Sequence, residues 1–211
     1  MPLILPPGAK IKHNSHKSTA QAQSECFIQD ATGPAVFAAR NFFSPQECQA
    51  WMDFADKAGF ELQKHKATKY VAYRENGRLQ LHSEDIAALI FQRLLPFIPA
   101  EVNHRRASGC NPNLRLYRYS QGQRFGPHVD ESNRLEDGSI TAFTVLLYLN
   151  GADKGLEGGE TIFYDGKSVF RFAPQTGAAL VHAHGSRCLT HEGAAVLQGA
   201  KYVLRTDVAF K

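Results

Sequence analysis

The rhythm of apolar positions changes once along the chain, near residue 110. Before that point, two stretches carry apolar residues three and four apart, the spacing of one helix face. The first opens on Ser44-Pro45-Gln46-Glu47, a hydroxyl followed three residues later by a glutamate, with proline in the first turn. It predicts a capped helix over 45–58 that buries Cys48, Trp51, Met52 and either Phe54 or Ala55. The second opens on Ser83-Glu84-Asp85, whose hydroxyl and acids suit the positive end of a helix. It predicts a helix to about residue 95 over Ile86, Leu89, Ile90 and Leu94, closed by Pro96 and Pro99. A short strand over 35–43 precedes both, and 64–81 reads as strand or loop.

After Asn111 the pattern shortens to strand-length apolar runs broken by Gly, Asp, Asn and Pro, at 114–119, 124–129, 140–149, 161–164, 168–172, 178–182 and 202–210. Short strands following two helices predict an α+β chain, mainly β. The expected core is a double-stranded β-helix, or jelly roll, over 112–211, buttressed by N-terminal helical support over 44–99 within a single domain of residues 26–211. Residues 1–25, polar and rich in Pro, Ser, Lys and His, offer little to bury and read as a flexible arm in which His13 and His16 are solvated.

Composition narrows the class. A net charge of +4 over 211 residues, without any Lys/Arg block, gives no nucleic-acid signature, and no apolar run reaches membrane-spanning length. Cys26, Cys48, Cys110 and Cys188 are widely separated, which speaks against a disulfide scaffold or zinc ribbon and for a reducing, cytoplasmic compartment. The start, M-P-L-I-L-P-P-G-A-K, has its basic residue after the apolar run, the wrong order for a signal peptide.

Candidate chemistry gathers in Y-S-Q-G-Q-R-F-G-P-H-V-D over 119–130. His128 and Asp130 are two residues apart, so on a strand they share a face. A bare His-x-Asp is most often a surface or core pair, and context decides. Two imidazoles and one carboxylate on one side of an iron ion leave the opposite positions open, so a second, distant histidine is needed. His191 is the candidate; His182 and His184 are its rivals.

Further ordered pieces follow: L-L-Y-L-N at 146–150, G-G-E-T at 158–161 and H-E-G-A-A-V-L-Q-G-A-K at 191–201. With them the chain resembles the prolyl 4-hydroxylase branch of the Fe(II)- and 2-oxoglutarate-dependent dioxygenases over about half its length. The resemblance implies iron ligation by His128, Asp130 and His191, since only His191 is followed by the G-x-K spacing. It implies that Lys201 pairs with the distal carboxylate of 2-oxoglutarate, and that Tyr119, Tyr148 and Thr161 lie beside the co-substrate. Arg205 lies four residues beyond Lys201 on the same strand face, about 13 Å away by strand rise. That is too far to clamp the same carboxylate, so it faces the metal-side carboxylate, the substrate or a structural ion pair.

The implied cofactors are Fe(II), 2-oxoglutarate and O2, with ascorbate admitted as reductant. The implied reaction is hydroxylation of an unactivated C–H bond, foremost that of a prolyl residue in a protein or peptide, with release of succinate and CO2. The stretch 69–78, with Tyr73, Arg74, Asn76 and Arg78, is the candidate substrate groove; its alternative is a solvated basic loop. A free amino acid or other small molecule as substrate, and a jelly-roll binding module without turnover, stand as alternative functions. A zinc hydrolase fits less well, because no general base stands beside the ligands.

Overall fold

The computed structural model describes residues 3–9, 23–69 and 71–211. Helix α1 (Pro45–Ala58) forms as its cap predicts: the Glu47 N–H donates to Ser44 Oγ, and the Glu47 carboxylate accepts the Ser44 N–H at 2.7 Å. Helix α2 (Glu84–Leu94) starts on the Ser83 hydroxyl, which accepts from the Ile86 N–H. Ala55 rather than Phe54 takes the fully buried position on α1, and Phe54 turns its ring edge-on to Trp51.

The strands, in chain order, are β1 (Gln23–Asp30), β2 (Gly33–Arg40), β3 (Glu61–His65), β4 (Arg74–His82), β5 (Glu101–Val102), β6 (Arg105–Cys110), β7 (Asn113–Ser120) and β8 (Phe125–His128). They continue as β9 (Ile140–Tyr148), β10 (Glu157–Gly158), β11 (Thr161–Asp165), β12 (Ser168–Phe172), β13 (Ala179–Ala183), β14 (Thr190–Gly193), β15 (Val196–Gln198) and β16 (Ala200–Phe210). The main sheet runs β1-β2-β13-β9-β16-β7-β4-β8-β14-β11-β12. It curls until its ends face each other: Phe27 on β1 stacks on Phe170 on β12 at 4.6 Å, and Tyr148 on β9 hydrogen bonds Thr161 on β11. This is the jelly roll expected from the strand pattern.

Strand alternation divides the protein into two compartments. On β9, Phe143, Val145 and Leu147 face the helices and join Trp51, Ile90 and Leu94 in the larger core. Leu146 and Tyr148 turn to the opposite, inner side, where Tyr148 meets Phe163, Phe172, Leu180 and Val203. On β16, Leu204 and Val208 likewise point to the helices. The inner face of the same strands is therefore free to carry polar groups, while the helix-side core supplies the apolar burial.

Two expectations need correction. The N-terminal arm is not loose throughout: Ile4 is buried, its N–H donates to Glu47 Oε1 at 2.6 Å, and its carbonyl accepts from Trp51 Nε1 at 3.0 Å. One isoleucine and two main-chain bonds anchor it, which composition averaged over 25 residues conceals. Residues 23–25 begin β1, an edge strand that is largely exposed, so its side chains read as polar while its main chain is paired to β2. His13 and His16 lie outside the described residues. Among the described residues, no helix is long and apolar enough to cross a membrane, and all four cysteines are free.

Glu47 joins these parts. Besides capping α1 and holding Ile4, it forms a buried ion pair with Arg93 of α2 at 2.9 Å. Removing one member of a buried pair leaves the other charge stranded, at a cost of about 3–5 kcal/mol. Glu47→Ala is expected to lower the urea unfolding free energy by about that amount, and a loss under about 1 kcal/mol would mean that the pair is not structural.

Candidate active site

The antiparallel pairing of β14 with β8 sets His191 directly opposite His128. Asp130 follows just past the end of β8, and its Oδ1 lies 3.8 Å from His128 Nε2, while Oδ2 lies 3.9 Å from His191 Nε2. Ligand atoms of the three residues all fall within 4.8 Å of one another. Donors bound to one octahedral ion sit about 3 Å apart, so the triad is slightly open and can close on a cation.

Both histidines present the same nitrogen. The Nδ1 of His128 is 2.9 Å from the Gly126 carbonyl and that of His191 is 3.0 Å from the Leu189 carbonyl. A carbonyl only accepts, so each Nδ1 carries the proton and each Nε2 keeps its lone pair for a ligand bond. Burial favours the neutral imidazoles, lowering His128 to about 4 and His191 below its ordinary value. Two neutral imidazoles and a carboxylate, with no fourth donor, suit a divalent iron that keeps open positions.

The Asp130 carboxylate is held from behind. Its Oδ2 accepts from Thr144 Oγ1 at 2.6 Å and pairs with Arg205 Nη2 at 3.0 Å. Burial alone would raise its pKa, but Arg205, with the Thr144 hydroxyl, holds it well below the usual carboxylate range. Thr144 in turn lies 2.6 Å from His184 Nε2, and Arg205 also pairs with Asp207 at 3.3 Å. If Thr144 donates to Asp130, then His184 donates Nε2–H to Thr144 and takes the Thr141 hydroxyl at Nδ1, so every partner has a compatible role.

A second donor group, His182, Cys188 and His191, is equally compact. Cys188 Sγ, however, already accepts the Asp130 N–H at 3.1 Å and donates to the Leu189 carbonyl at 3.5 Å, and burial pushes its thiol up to about 11. His182 is buried behind Asp130, 3.7 Å from Oδ2, with Nε2 lacking a hydrogen-bond partner among the described residues.

Lys201 enters the same cavity, which encloses about 470 Å³ including its mouth. Its Nζ donates to the Gly159 carbonyl at 2.6 Å, and burial lowers its pKa to about 8. The aromatic rings of Tyr119 and Tyr148 lie 5.6 and 5.4 Å from Nζ, and Tyr148 Oη is bonded to Thr161 Oγ1 at 2.6 Å. Gly158 and Gly159 both have positive φ, and a Cβ on Gly158 would stand 2.6 Å from the Ala195 carbonyl. The glycine pair thus lets the main chain close over the lysine stem.

Of the residues expected to meet substrate, Arg74 lines this cavity. Asn76 is fully buried and holds Arg74 Nε at 2.7 Å; Tyr73 Oη is tied to Glu75 at 2.6 Å. Arg78 lines a separate groove with Gln63 and Gln80, since it stands four residues, about 13 Å, further along β4 than Arg74. Thr144, Asp207 and Cys188 were not anticipated, and His184, weighed only as a rival ligand, instead hydrogen bonds Thr144 behind Asp130. Thr144 and Asp207 were readable in principle, since each interrupts an apolar strand run, F-T-V-L-L and L-R-T-D-V, where an unpaired polar group would be costly.

Residues 114–206 match the family model of the 2OG-Fe(II) oxygenase superfamily. No curated protein matches the chain by sequence. Among solved structures, a prolyl hydroxylase from Trichoplax adhaerens, in complex with a hypoxia inducible factor oxygen degradation domain peptide fragment, is similar at a TM-score of 0.63 and 17% identity, over 83% of each chain. The viral collagen prolyl hydroxylase of Paramecium Bursaria Chlorella virus-1, as its 2OG complex, gives 0.60 and 18%, over 84% of this chain and 97% of that one. A Pseudomonas putida prolyl-4-hydroxylase gives 0.59 and 16%, over 84% and 93%. At these identities the likeness is one of fold.

Anaerobic titration with Fe(II) or Mn(II) checks the triad. Single alanine substitutions at His128, Asp130 or His191 are expected to weaken metal binding by at least about a hundredfold, whereas His182→Ala retains it; unchanged binding in a His128→Ala/His191→Ala double variant would refute the assignment.

Proposed function

We propose that this chain, whose residues 114–206 match the family model of the 2OG-Fe(II) oxygenase superfamily, is a dioxygenase that hydroxylates a prolyl residue of a protein or peptide. The observation that carries the oxygenase reading is the placing of the His128, Asp130 and His191 triad and the buried Lys201 ammonium in one cavity. The prolyl reading is supported by the fold shared with three prolyl hydroxylases, one of them solved with a peptide fragment.

The family's Fe(II), 2-oxoglutarate and O2 supply the oxidising chemistry, in which 2-oxoglutarate is decarboxylated to succinate and CO2 and one oxygen atom enters the C–H bond. The chain's own work is to bind, orient and exclude water. His128 Nε2, His191 Nε2 and the Asp130 carboxylate would hold the metal, with their back sides fixed by Gly126, Leu189, Thr144 and Arg205. Lys201 uses one of its three donors on Gly159 and is left able to bind the distal carboxylate of 2-oxoglutarate. Tyr119, Leu146 and Val203 line the cavity between these groups and limit the entry of water.

Two outcomes follow for Lys201. Lys201→Ala is expected to raise the KM for 2-oxoglutarate about ten- to a hundredfold, the loss of one charge-assisted contact, while metal affinity is nearly unchanged. The pH dependence has a definite sign. Because the unliganded ammonium titrates near 8, 2-oxoglutarate affinity is flat below that pH and falls about tenfold per unit above it, until the pKa of the bound form is reached. An affinity independent of pH from 7 to 9.5 would remove Lys201 from the role.

The substrate is tested by incubating iron-loaded protein and 2-oxoglutarate with a proline-rich peptide panel and with free proline. A gain of one oxygen on a prolyl residue of a peptide is expected. Turnover of free amino acids and of no peptide would reject the peptidyl reading and leave the oxygenase standing.

A further inference from the structure

Arg74 begins β4, and its guanidinium lies in the cavity that holds the metal triad and Lys201. Its Nε donates to Asn76 Oδ1 at 2.7 Å, and Asn76 is itself fully buried with its amide tied to the Gly77 carbonyl. The guanidinium lies over the rings of Tyr117 and Phe125, 4.6 and 4.5 Å from their centroids. These contacts fix the group but leave Nη2 buried with no hydrogen-bond partner among the described residues. Leaving a buried donor unsatisfied is costly, so an acceptor is expected to arrive with a ligand.

The charges around the cavity indicate what kind of acceptor. Two acids line it. Asp130 is occupied by Arg205 and Thr144 and faces the metal, and Glu192 accepts from Tyr164 Oη at 2.6 Å. Arg205 is already paired with Asp130 and Asp207. Among the described residues, Lys201 and Arg74 are thus the two cations in the cavity without a carboxylate partner. In the proposed function, 2-oxoglutarate brings one carboxylate to the metal and one to Lys201, which leaves Arg74 over. A planar, stacked guanidinium with a free N–H is the side chain best shaped to take a carboxylate.

We infer that Arg74 binds a carboxylate of the primary substrate. This rests on the oxygenase reading and narrows it to substrates carrying an acid close to the hydroxylated carbon. The acid comes either from an Asp or Glu side chain flanking the target residue or from a free α-carboxylate. Tyr117, whose ring lies beneath Arg74, suits such a site. Burial would raise its phenol, but Arg205, Arg74 and Arg115 together hold it below its ordinary value, as expected of a surplus of positive charge.

The test uses the full chain loaded with Mn(II) and 2-oxoglutarate without oxygen, so that binding is read apart from turnover. Five probes are titrated by calorimetry: a proline peptide with neutral flanks and blocked ends, the same peptide with Glu beside the proline, the same peptide with Lys there, the same peptide ending in a free carboxylate next to the proline, and free proline. At least one carboxylate-bearing probe is expected to bind tenfold or more tightly than the neutral blocked peptide, and which one does so identifies the source of the acid. The advantage is expected to vanish in Arg74→Gln and to reverse toward a Lys-flanked peptide in Arg74→Glu, with folding verified by circular dichroism. Equal affinities, binding by no probe, or an advantage that survives Arg74→Gln would overturn the inference. So would a weaker 2-oxoglutarate affinity in Arg74→Gln, which would make Arg74 a co-substrate residue. Iron- and 2-oxoglutarate-dependent succinate release, measured separately, reports on the oxygenase reading whichever way the probes fall.

Discussion

The register of β8 against β14 is the constraint from which the candidate site follows. His191 stands across from His128, and the next pair along, Gly193 with Phe125, is reached through a bulge. Side chains alternate along a strand, so a slip of one residue would carry the His191 ring out of the cavity and bring a neighbour in its place. Several contacts resist that slip. Phe125 stacks on His128 at 3.7 Å between centroids, and Phe163, opposite His191 across the β11 pairing, stacks on it at 5.4 Å. The two Nδ1 bonds to carbonyls then fix ring rotation as well as position. The register is thereby held by apolar stacking and the donor atoms by hydrogen bonds.

Behind this pair, the inner face of the roll carries an unusual density of buried polar groups. Burial keeps the imidazoles of His128, His182, His184 and His191 toward their neutral forms. Immediately around the triad that leaves Asp130 and Asp207 against a single guanidinium, Arg205, a local excess of one negative charge, while Lys201 and Arg74 carry positive charge elsewhere in the cavity. A divalent cation is the ligand that such a site favours electrostatically, and without it a carboxylate would remain under-compensated. A polar network of this kind contributes little net stability. The offset comes from the other side of the same sheet, where Phe143, Val145, Leu147, Leu204 and Val208 pack on the helices.

How much of this could be read from the chain depended on whether the signal was local. The capping box at Ser44, the Ser83 start and the apolar stripes are short-range patterns, and both helices fall where they were expected. The spaced pieces from Tyr119 to Lys201 located the candidate ligands because a metal site needs particular residue types, and those types are visible as letters. Strand partners are set by long-range pairing and were not legible: neither the β1 hairpin nor the short β14 that carries His191 shows a strand-length apolar run. Ile4 was hidden for a related reason, since its burial depends on Trp51 and Glu47, more than forty residues away. The grouping of Tyr73, Arg74, Asn76 and Arg78 was too coarse, because Arg74 and Arg78 share a face of β4 but stand about 13 Å apart along it, so that only Arg74 reaches the cavity while Arg78 lines another groove.

Charge partners, and not strand alternation, separate two cations that the sequence left hard to distinguish. Lys201 and Arg205 are four residues apart on β16 and share a face, yet their surroundings differ in one respect. Two residues beyond Arg205 on that face stands Asp207, and Asp130 approaches it from across the roll; together they raise the guanidinium's pKa against the opposing effect of burial. Two residues beyond Lys201 stands Val203, and the nearest partner of Nζ is a carbonyl, so burial prevails and the ammonium is depressed. An incoming anion would have to displace carboxylates to reach Arg205, whereas at Lys201 it would relieve an existing desolvation cost. The difference in charge partners, rather than distance along the strand, leaves Lys201 as the β16 cation available to an anionic co-substrate, and fits Arg205 to holding Asp130 in place.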